Sequence, residues 1–405
     1  MHRSFTAAGT GRPEPTATTP LLGGLSPERF MRRHWQKRPL LIRQAMPGLM
    51  PPVDRATLFA LAQRDGVESR LVVHGDGGWR LRHGPLPRRA LPSTRRPGWT
   101  LLVQGVDLHV PAARALLDAF RFVPDARLDD LMVSYATDGG GVGPHVDSYD
   151  VFLLQVHGRR RWRIGRVPRP ELVPDVPLKI LADFQPEQSW VLEPGDMLYL
   201  PPGWGHDGVA EGECMTCSVG FRAPTRDELA REVLQRHLDA LDPDDGPGAT
   251  LYRDPGQPAT ARPAEVPAAM QAAATAAVQR LVADPAALAC ALGEWLSEPK
   301  AGVWFDAGDA LPAAGGLRLD RRTRMLWDAR CVYVNGESYR VAGRDARLMR
   351  RLADDRVLSA ADRVRLGADA AALVDEWADA GWLHAQAEAS VSALVPSPVS
   401  RGDAR

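Results

Sequence analysis

Gly139-Gly-Gly-Val-Gly-Pro-His-Val-Asp-Ser-Tyr-Asp150 sets an imidazole and a carboxylate two residues apart behind a run of glycines. In an extended strand such residues point to one face, so His145 and Asp147 can offer a ring nitrogen and an oxygen to one point in space. Downstream, Pro194-Gly-Asp-Met-Leu-Tyr-Leu-Pro-Pro-Gly-Trp-Gly-His206 ends on another histidine, at a separation that suits several intervening strands of a small barrel. Two neutral nitrogens and one hard oxygen, with the opposite face of an octahedron left open, suit a non-heme iron(II) that must hold a co-substrate and dioxygen together. The plainer alternative is a satisfied strand histidine and a chance H-x-D triplet. Against it stands the glycine run, which carries no side chains to block access to His145.

A second segment turns a metal site into a reaction type. Asp150 to Gln155 reads as one strand and Gly158-Arg-Arg-Arg-Trp-Arg-Ile-Gly165 as the next, joined by a short His157-Gly158 turn. Alternation puts Arg160, Trp162 and Ile164 on one face, and the apolar pair predicts that this face is the interior. A buried guanidinium is costly without an anion, and its planar fork grips a carboxylate through two hydrogen bonds. No protein carboxylate is evident as its partner. A diffusible dicarboxylate, 2-oxoglutarate, fits, with its keto-acid end on the iron and its distal carboxylate on Arg160. Arg159, Arg161 and Arg163 read as a solvated face.

Those two motifs, the Pro194 to His206 turn and the later Cys217-Ser-Val-Gly-Phe-Arg222 together resemble the bacterial ribosomal oxygenases, in order and spacing. These are JmjC-type cupin proteins that hydroxylate an arginine of large-subunit ribosomal protein L-sixteen. The resemblance implies a mixed α+β protein built on a double-stranded β-helix, with a helical dimerisation region and a C-terminal winged-helix-like domain. It implies iron(II) held by His145, Asp147 and His206, and 2-oxoglutarate held by Arg160. Ser134 falls where the family uses a hydroxyl near the co-substrate, and Ser218 is a further candidate. Trp204-Gly205 departs from the commoner wording before the second histidine, which bears on a pocket wall more than on the metal.

Composition bounds the rest. The 405 residues suggest two or three domains, and 44% hydrophobic content can bury a sizeable core. Fifty basic and fifty acidic residues cancel, so a general electrostatic grip on nucleic acid is not indicated. Basic charge is carried almost wholly by arginine, Lys37, Lys179 and Lys300 being the only lysines. Cys214, Cys217, Cys290 and Cys331 give no disulfide framework, and one C-x-x-C pair without a second pair or nearby His ligands is a weak zinc or redox signal, read instead as small residues on or beside a barrel strand. With neither a signal peptide nor a membrane-length apolar run, the expectation is a reduced, cytoplasmic protein.

Along the chain the expected pieces are a tail over 1–20, a JmjC cupin domain over 21–224, a helical dimerisation region over 225–297, a winged-helix-like domain over 298–390 and a tail over 391–405. Ser26-Pro27-Glu28 is a helix start, Arg38 to Arg43 a strand, Asp54 to Arg64 a helix, and Leu71 to Arg82 a hairpin turning near Asp76-Gly77. Strands follow around Thr100 to Gln104 and Leu131 to Tyr135, with a helix near Ala112 to Phe120 between them. Thr225-Arg-Asp-Glu228 has the form of a capping box. A Pro, Gly and Asp rich stretch from Pro243 to Pro263 interrupts the helical pattern, which an Ala-rich run from Pro267 to Leu296 resumes. Such a run suits an interface or an ordinary helical layer, and the family resemblance favours a homodimer.

The last segment expects strands at Arg324 to Asp328 and Cys331 to Val334. An Asn335-Gly336 hairpin comes next, then helices near Asp345 to Leu352, Ser359 to Leu366 and Asp369 to Ala380, with Gly381 as a stop and a frayed tail from about His384. Winged helices often bind DNA, but no concentrated basic helix marks a groove reader, so a protein-contact role is favoured. An arginine substrate needs acidic or aromatic neighbours, for which Asp138, Tyr149 and Asp207 are candidates, each of them more readily a turn or strand residue of no special role. Two other readings remain open at this point: a related oxygenase acting on a histidine or asparagine of another protein or on tRNA, and a non-catalytic cupin sensor.

Overall fold

The computed structural model describes residues 12–241, 251–312 and 314–386. The chain divides into two compact units, Met1–Val303 and Trp304–Arg405.

In the first unit, Ser26 accepts from the Arg29 amide and Pro27 opens helix α1 (Pro27–Arg33), as the cap signal requires. Strand β1 (Leu40–Ile42) and helix α2 (Arg55–Leu61, capped by Asp54) follow. Strands β2 (Ser69–Gly75) and β3 (Gly78–His83) form the expected hairpin, with Gly75 opposite Gly78 across the Asp76-Gly77 turn. After β4 (Trp99–Val103), α3 (Pro111–Asp118) and β5 (Leu128–Ala136) come β6 (His145–Val146), β7 (Val151–Arg166), β8 (Gln188–Leu192), β9 (Met197–Leu200) and β10 (Trp204–Phe221). All pair antiparallel in one ten-stranded sheet of order β1-β9-β7-β10-β5-β4-β2-β3, with β6 on β10 and β8 on β7. The core between them is rich in rings: Phe30, Phe120, Phe152, Tyr135, Tyr199 and Trp99 are fully buried.

The two strands expected on either side of Gly158 are one continuous strand, β7. Gly158 adopts φ +61, and a Cβ there would lie 2.0 Å from the Glu213 carbonyl oxygen, so this glycine bends the strand without reversing it. The partner strand β10 shifts register opposite, between Glu211 and Met215, and the long pair therefore coils together.

The capping box of α4 (Arg226–Asp239) is present in both directions, Thr225 to Glu228 and back. The Ala-rich run is two helices, α5 (Ala268–Leu281) and α6 (Pro285–Ser297), because Asp284 caps a new start and Pro285 cannot continue the old helix. Arg236 of α4 pairs with Glu294 and Glu298 at the end of α6. Of the Pro243 to Pro263 stretch, 243–250 lie outside the described residues, and the rest is exposed coil and turn. Residues 1–11 and 387–405, which include the two expected tails in part, also lie outside them, whereas Thr19 caps a short 3-10 turn at Pro20–Leu22.

The second unit has its own core of Leu317, Val332, Met349, Leu352, Val374 and Trp377 among others. Strands β11 (Leu317–Leu319), β12 (Met325–Trp327), β13 (Cys331–Val334) and β14 (Glu337–Arg340) precede α7 (Gly343–Asp355), β15 (Val357–Leu358), α8 (Ala360–Arg363), α9 (Ala368–Asp379) and β16 (Leu383–Ala385). Asn335 and Gly336 both take positive φ in the turn between β13 and β14, the conformation that Asn-Gly favours. The expected fraying from His384 is corrected: Leu383–Ala385 pairs with Leu317–Leu319. Among the described residues no helix is long and apolar enough to cross a membrane.

Candidate active site

His145, Asp147 and His206 come together where β6 pairs with the start of β10. Each offers one ligand atom, and these atoms lie within 4.8 Å of one another. The backbone explains the convergence, since β6 pairs with β10 so that His145 stands opposite His206. The rings are held alike. His145 Nδ1 lies 3.0 Å from the Gly143 carbonyl oxygen, and His206 Nδ1 lies 3.1 Å from that of Trp204. A carbonyl can only accept, so each Nδ1 carries the proton and each Nε2 keeps its lone pair. Both Nε2 atoms face the same carboxylate oxygen, Asp147 Oδ2, at 3.9 and 3.5 Å. Burial, with His145 alongside, holds His206 down at about 4, so its ring is neutral near pH 7. This donor set, two neutral imidazoles and one carboxylate on one side of a gap, fits a divalent first-row metal.

Glycines bring the walls close. A Cβ on Gly208 would sit 2.6 Å from the Trp162 ring, and one on Gly143 would sit 3.1 Å from both Trp79 and Ile180. Trp162 in turn lies 5.9 Å from the His206 ring. The Pro144 carbonyl accepts from the Leu181 amide, so the His145 turn is bordered by the β2–β3 hairpin and by the segment preceding β8.

Arg160 points inward as its alternation with Trp162 and Ile164 requires, at 4% exposure. Its Nη1 donates to Ser134 Oγ at 3.0 Å and Thr216 Oγ1 at 3.3 Å, while Nε is buried with no partner. Among the described residues no carboxylate lies within ion-pair distance of this guanidinium. A buried cation surrounded by hydroxyls, with donors to spare, fits a small carboxylate from outside the chain.

Ser134 thus stands beside Arg160. Ser218 is buried but sits one pleat further along β10, opposite Met132 and Leu153. Thr216 and Gln155 are the residues that the sequence reading missed. Thr216 is opposite both Ser134 and Gln155, donates to Gln155 Oε1 at 2.9 Å, and so completes a polar row across three strands. The signal was the strand period: Cys214, Thr216 and Ser218 share a face, and register selects the middle one. Asp207, offered as a substrate contact, is corrected. It points away from His206 and is buried in an ion pair with Arg163. Asp138 is exposed and accepts from the Gly212 amide at 2.8 Å. Tyr149 is 40% exposed beside the metal-binding segment.

Residues 115–229 match the JmjC domain family and residues 280–384 the ROXA-like winged helix family. The chain is 38% identical to the ribosomal protein uL16 3-hydroxylase of Escherichia coli over 336 residues, 76% of this chain and 84% of that protein. It is 38% identical to a probable ribosomal oxygenase of Haemophilus influenzae over 209 residues, about half of each chain (51% and 52%). Among solved structures, E. coli ycfD superposes with a TM-score of 0.78 at 32% identity, covering 89% of this chain and 98% of that one. The same oxygenase in complex with cobalt and 2-oxoglutarate superposes at 0.72 and 33% identity, covering 88% and 97%.

Proposed function

Because the chain belongs to the JmjC-domain ribosomal oxygenases, we propose that it hydroxylates ribosomal protein uL16 with iron(II), 2-oxoglutarate and dioxygen, at the β-carbon of an arginine. Position 3 of an amino acid is its β-carbon, which is what the name of the E. coli relative specifies. The observation that carries the reading is the pairing of a three-donor metal cluster with a buried arginine that has no carboxylate of its own.

His145, Asp147 and His206 would hold the iron, and Arg160, with Ser134 and Thr216 around it, the distal carboxylate of 2-oxoglutarate. When bound, these groups supply oxidative decarboxylation to succinate and carbon dioxide, coupled to insertion of one oxygen atom into an unactivated C–H bond. The chain's own contribution is placement. Gly143 and Trp204 fix the tautomer of the two histidines through their carbonyls. Arg160 gives the co-substrate one orientation, and the Trp162 wall keeps water from the donors.

Helix α5 supports a homodimer, since none of its residues is buried, and Met270 and Val278 are 44% and 61% exposed. Residues 225–297 would then form the contact. Acting on a ribosomal protein implies the cytoplasm. The test is succinate formation from 2-oxoglutarate with iron(II), ascorbate and uL16. Wild type is expected to turn over, while His145→Ala and Arg160→Ala fall to background. Equal turnover by all three would remove the proposed chemistry.

A further inference from the structure

Zero net charge conceals a strongly basic edge. Residues 77–106 hold no aspartate or glutamate but six arginines, Arg80, Arg82, Arg88, Arg89, Arg95 and Arg96. All six are exposed, and among the described residues none has a carboxylate within ion-pair distance. Several other arginines on this unit are matched, among them Arg43 with Asp196, Arg55 with Glu213, Arg121 with Asp125 and Arg161 with Glu211.

The topology sets two of the six on the edge strand and four on the segment that follows it. β3 is the last strand of the sheet, and Arg80 and Arg82 lie two apart on it, hence on one face. At Gly84, whose amide donates to the Ser69 carbonyl, the chain leaves the edge, passes beside helix α2, where the Leu86 amide donates to the Ala62 carbonyl, and reaches β4 on the other side of β2 at Gly98, whose carbonyl accepts from the His74 amide. Arg88, Arg89, Arg95 and Arg96 lie on that segment. The same hairpin carries Trp79, whose indole meets Gly143 two residues before His145. The hairpin that carries Arg80 and Arg82 therefore adjoins the metal-binding turn.

We propose that this edge docks the phosphate backbone of structured RNA, so that the enzyme takes its ribosomal protein substrate in the company of RNA. The inference rests on the uL16 reading for its substrate. A small anion would need a socket of buried donors, whereas these guanidiniums are all exposed and spread over an edge strand and the segment that follows it. That is the pattern of a surface that neutralises successive phosphates without reading bases. Exposed side chains without partners can be exchanged without disturbing the core, which makes the surface testable.

The experiment is fluorescence anisotropy of the full chain with a labelled RNA hairpin across a salt series. Arg88 packs over Phe59 at 5.3 Å and is left in place. The variants change Arg80, Arg82, Arg89, Arg95 and Arg96 together, to Gln or to Lys. If wild type neutralises about five phosphates through these residues, its affinity falls roughly 10²–10³-fold between about 50 and 200 mM salt. The Gln variant should bind at least about tenfold more weakly with a far shallower slope, and the Lys variant should keep most of the slope. Wild type without RNA affinity at low salt, or a Gln variant with unchanged slope, would overturn the docking surface and leave the arginines as guards of an exposed strand. An acidic peptide competing as well as RNA at equal charge would also overturn it, in favour of a protein partner. Hydroxylation of isolated uL16, measured in parallel, tests the enzymatic reading separately: the Gln variant should match wild type there.

Discussion

At the scale of the residue, Arg160 concentrates the account. Its guanidinium is buried against Ser134, Thr216 and the Trp162 ring, so a mutation tests both charge and shape. Arg160→Lys keeps the charge but loses the fork, and the KM for 2-oxoglutarate should rise about tenfold. Arg160→Met would leave a co-substrate carboxylate buried and unpaired, at a cost of about 3–5 kcal/mol and a KM increase of several hundredfold or more. Thr216→Val removes one hydroxyl at constant shape, a loss of about 1 kcal/mol, or roughly fivefold in KM. Steady-state kinetics in 2-oxoglutarate check all three, and an unchanged KM for Arg160→Met would remove this residue from the pocket. The convergence of the three metal donors and the inward turn of Arg160 were legible from strand alternation and residue chemistry, whereas Ser134 came only from the family resemblance. Thr216 was not legible, because its role depends on which strands lie beside β10.

At the scale of the element, close approach replaces chemistry as the constraint. Gly208→Ala would drive a methyl into Trp162, costing about 1–3 kcal/mol. Because that ring flanks His206, cobalt(II) affinity should fall with the melting temperature. A loss of stability with unchanged metal affinity would show that the wall does not position the ligand. Asp107 gives a pH prediction. Its carboxylate accepts from the Leu131 amide beside Asp130, and burial pushes it up to about 6 from the usual 3.8. A raised carboxylate favours the protonated folded state, so its contribution is intact below about pH 4 and is lost as pH rises through 6. Asp107→Asn, which keeps the acceptor, should therefore stabilise the protein by up to ~3 kcal/mol at pH 8 and by little at pH 4. Thermal melts at the two pH values decide; a difference independent of pH would contradict the burial argument. Helix caps such as Ser26 and Thr225 and the Asn335-Gly336 turn were legible, being local. The single bent strand through Gly158 was not, since a glycine at positive φ serves a turn and a bulge equally, and only the facing Glu213 carbonyl distinguishes them.

At the scale of the whole molecule, two units with separate cores divide the labour. The second unit, expressed alone as 304–386, should melt in one cooperative transition, because its strands and helices bury Trp377, Val332 and Met349 among themselves. A fragment without a transition would mean that its core depends on the rest of the chain. The helices after residue 224 were legible from the Thr225–Glu228 capping box and the Ala-rich run. The strand at Leu383–Ala385 was not, because its partner Leu317–Leu319 lies far back in the sequence. The chemistry unites these scales in one claim, that this chain adds oxygen to an arginine of uL16. Mass spectrometry of uL16 after incubation with the protein, iron(II), 2-oxoglutarate and ascorbate tests it most directly. The account predicts a gain of one oxygen atom on a single arginine-containing peptide, absent with His145→Ala. A uL16 spectrum unchanged by an enzyme that still makes succinate would contradict it.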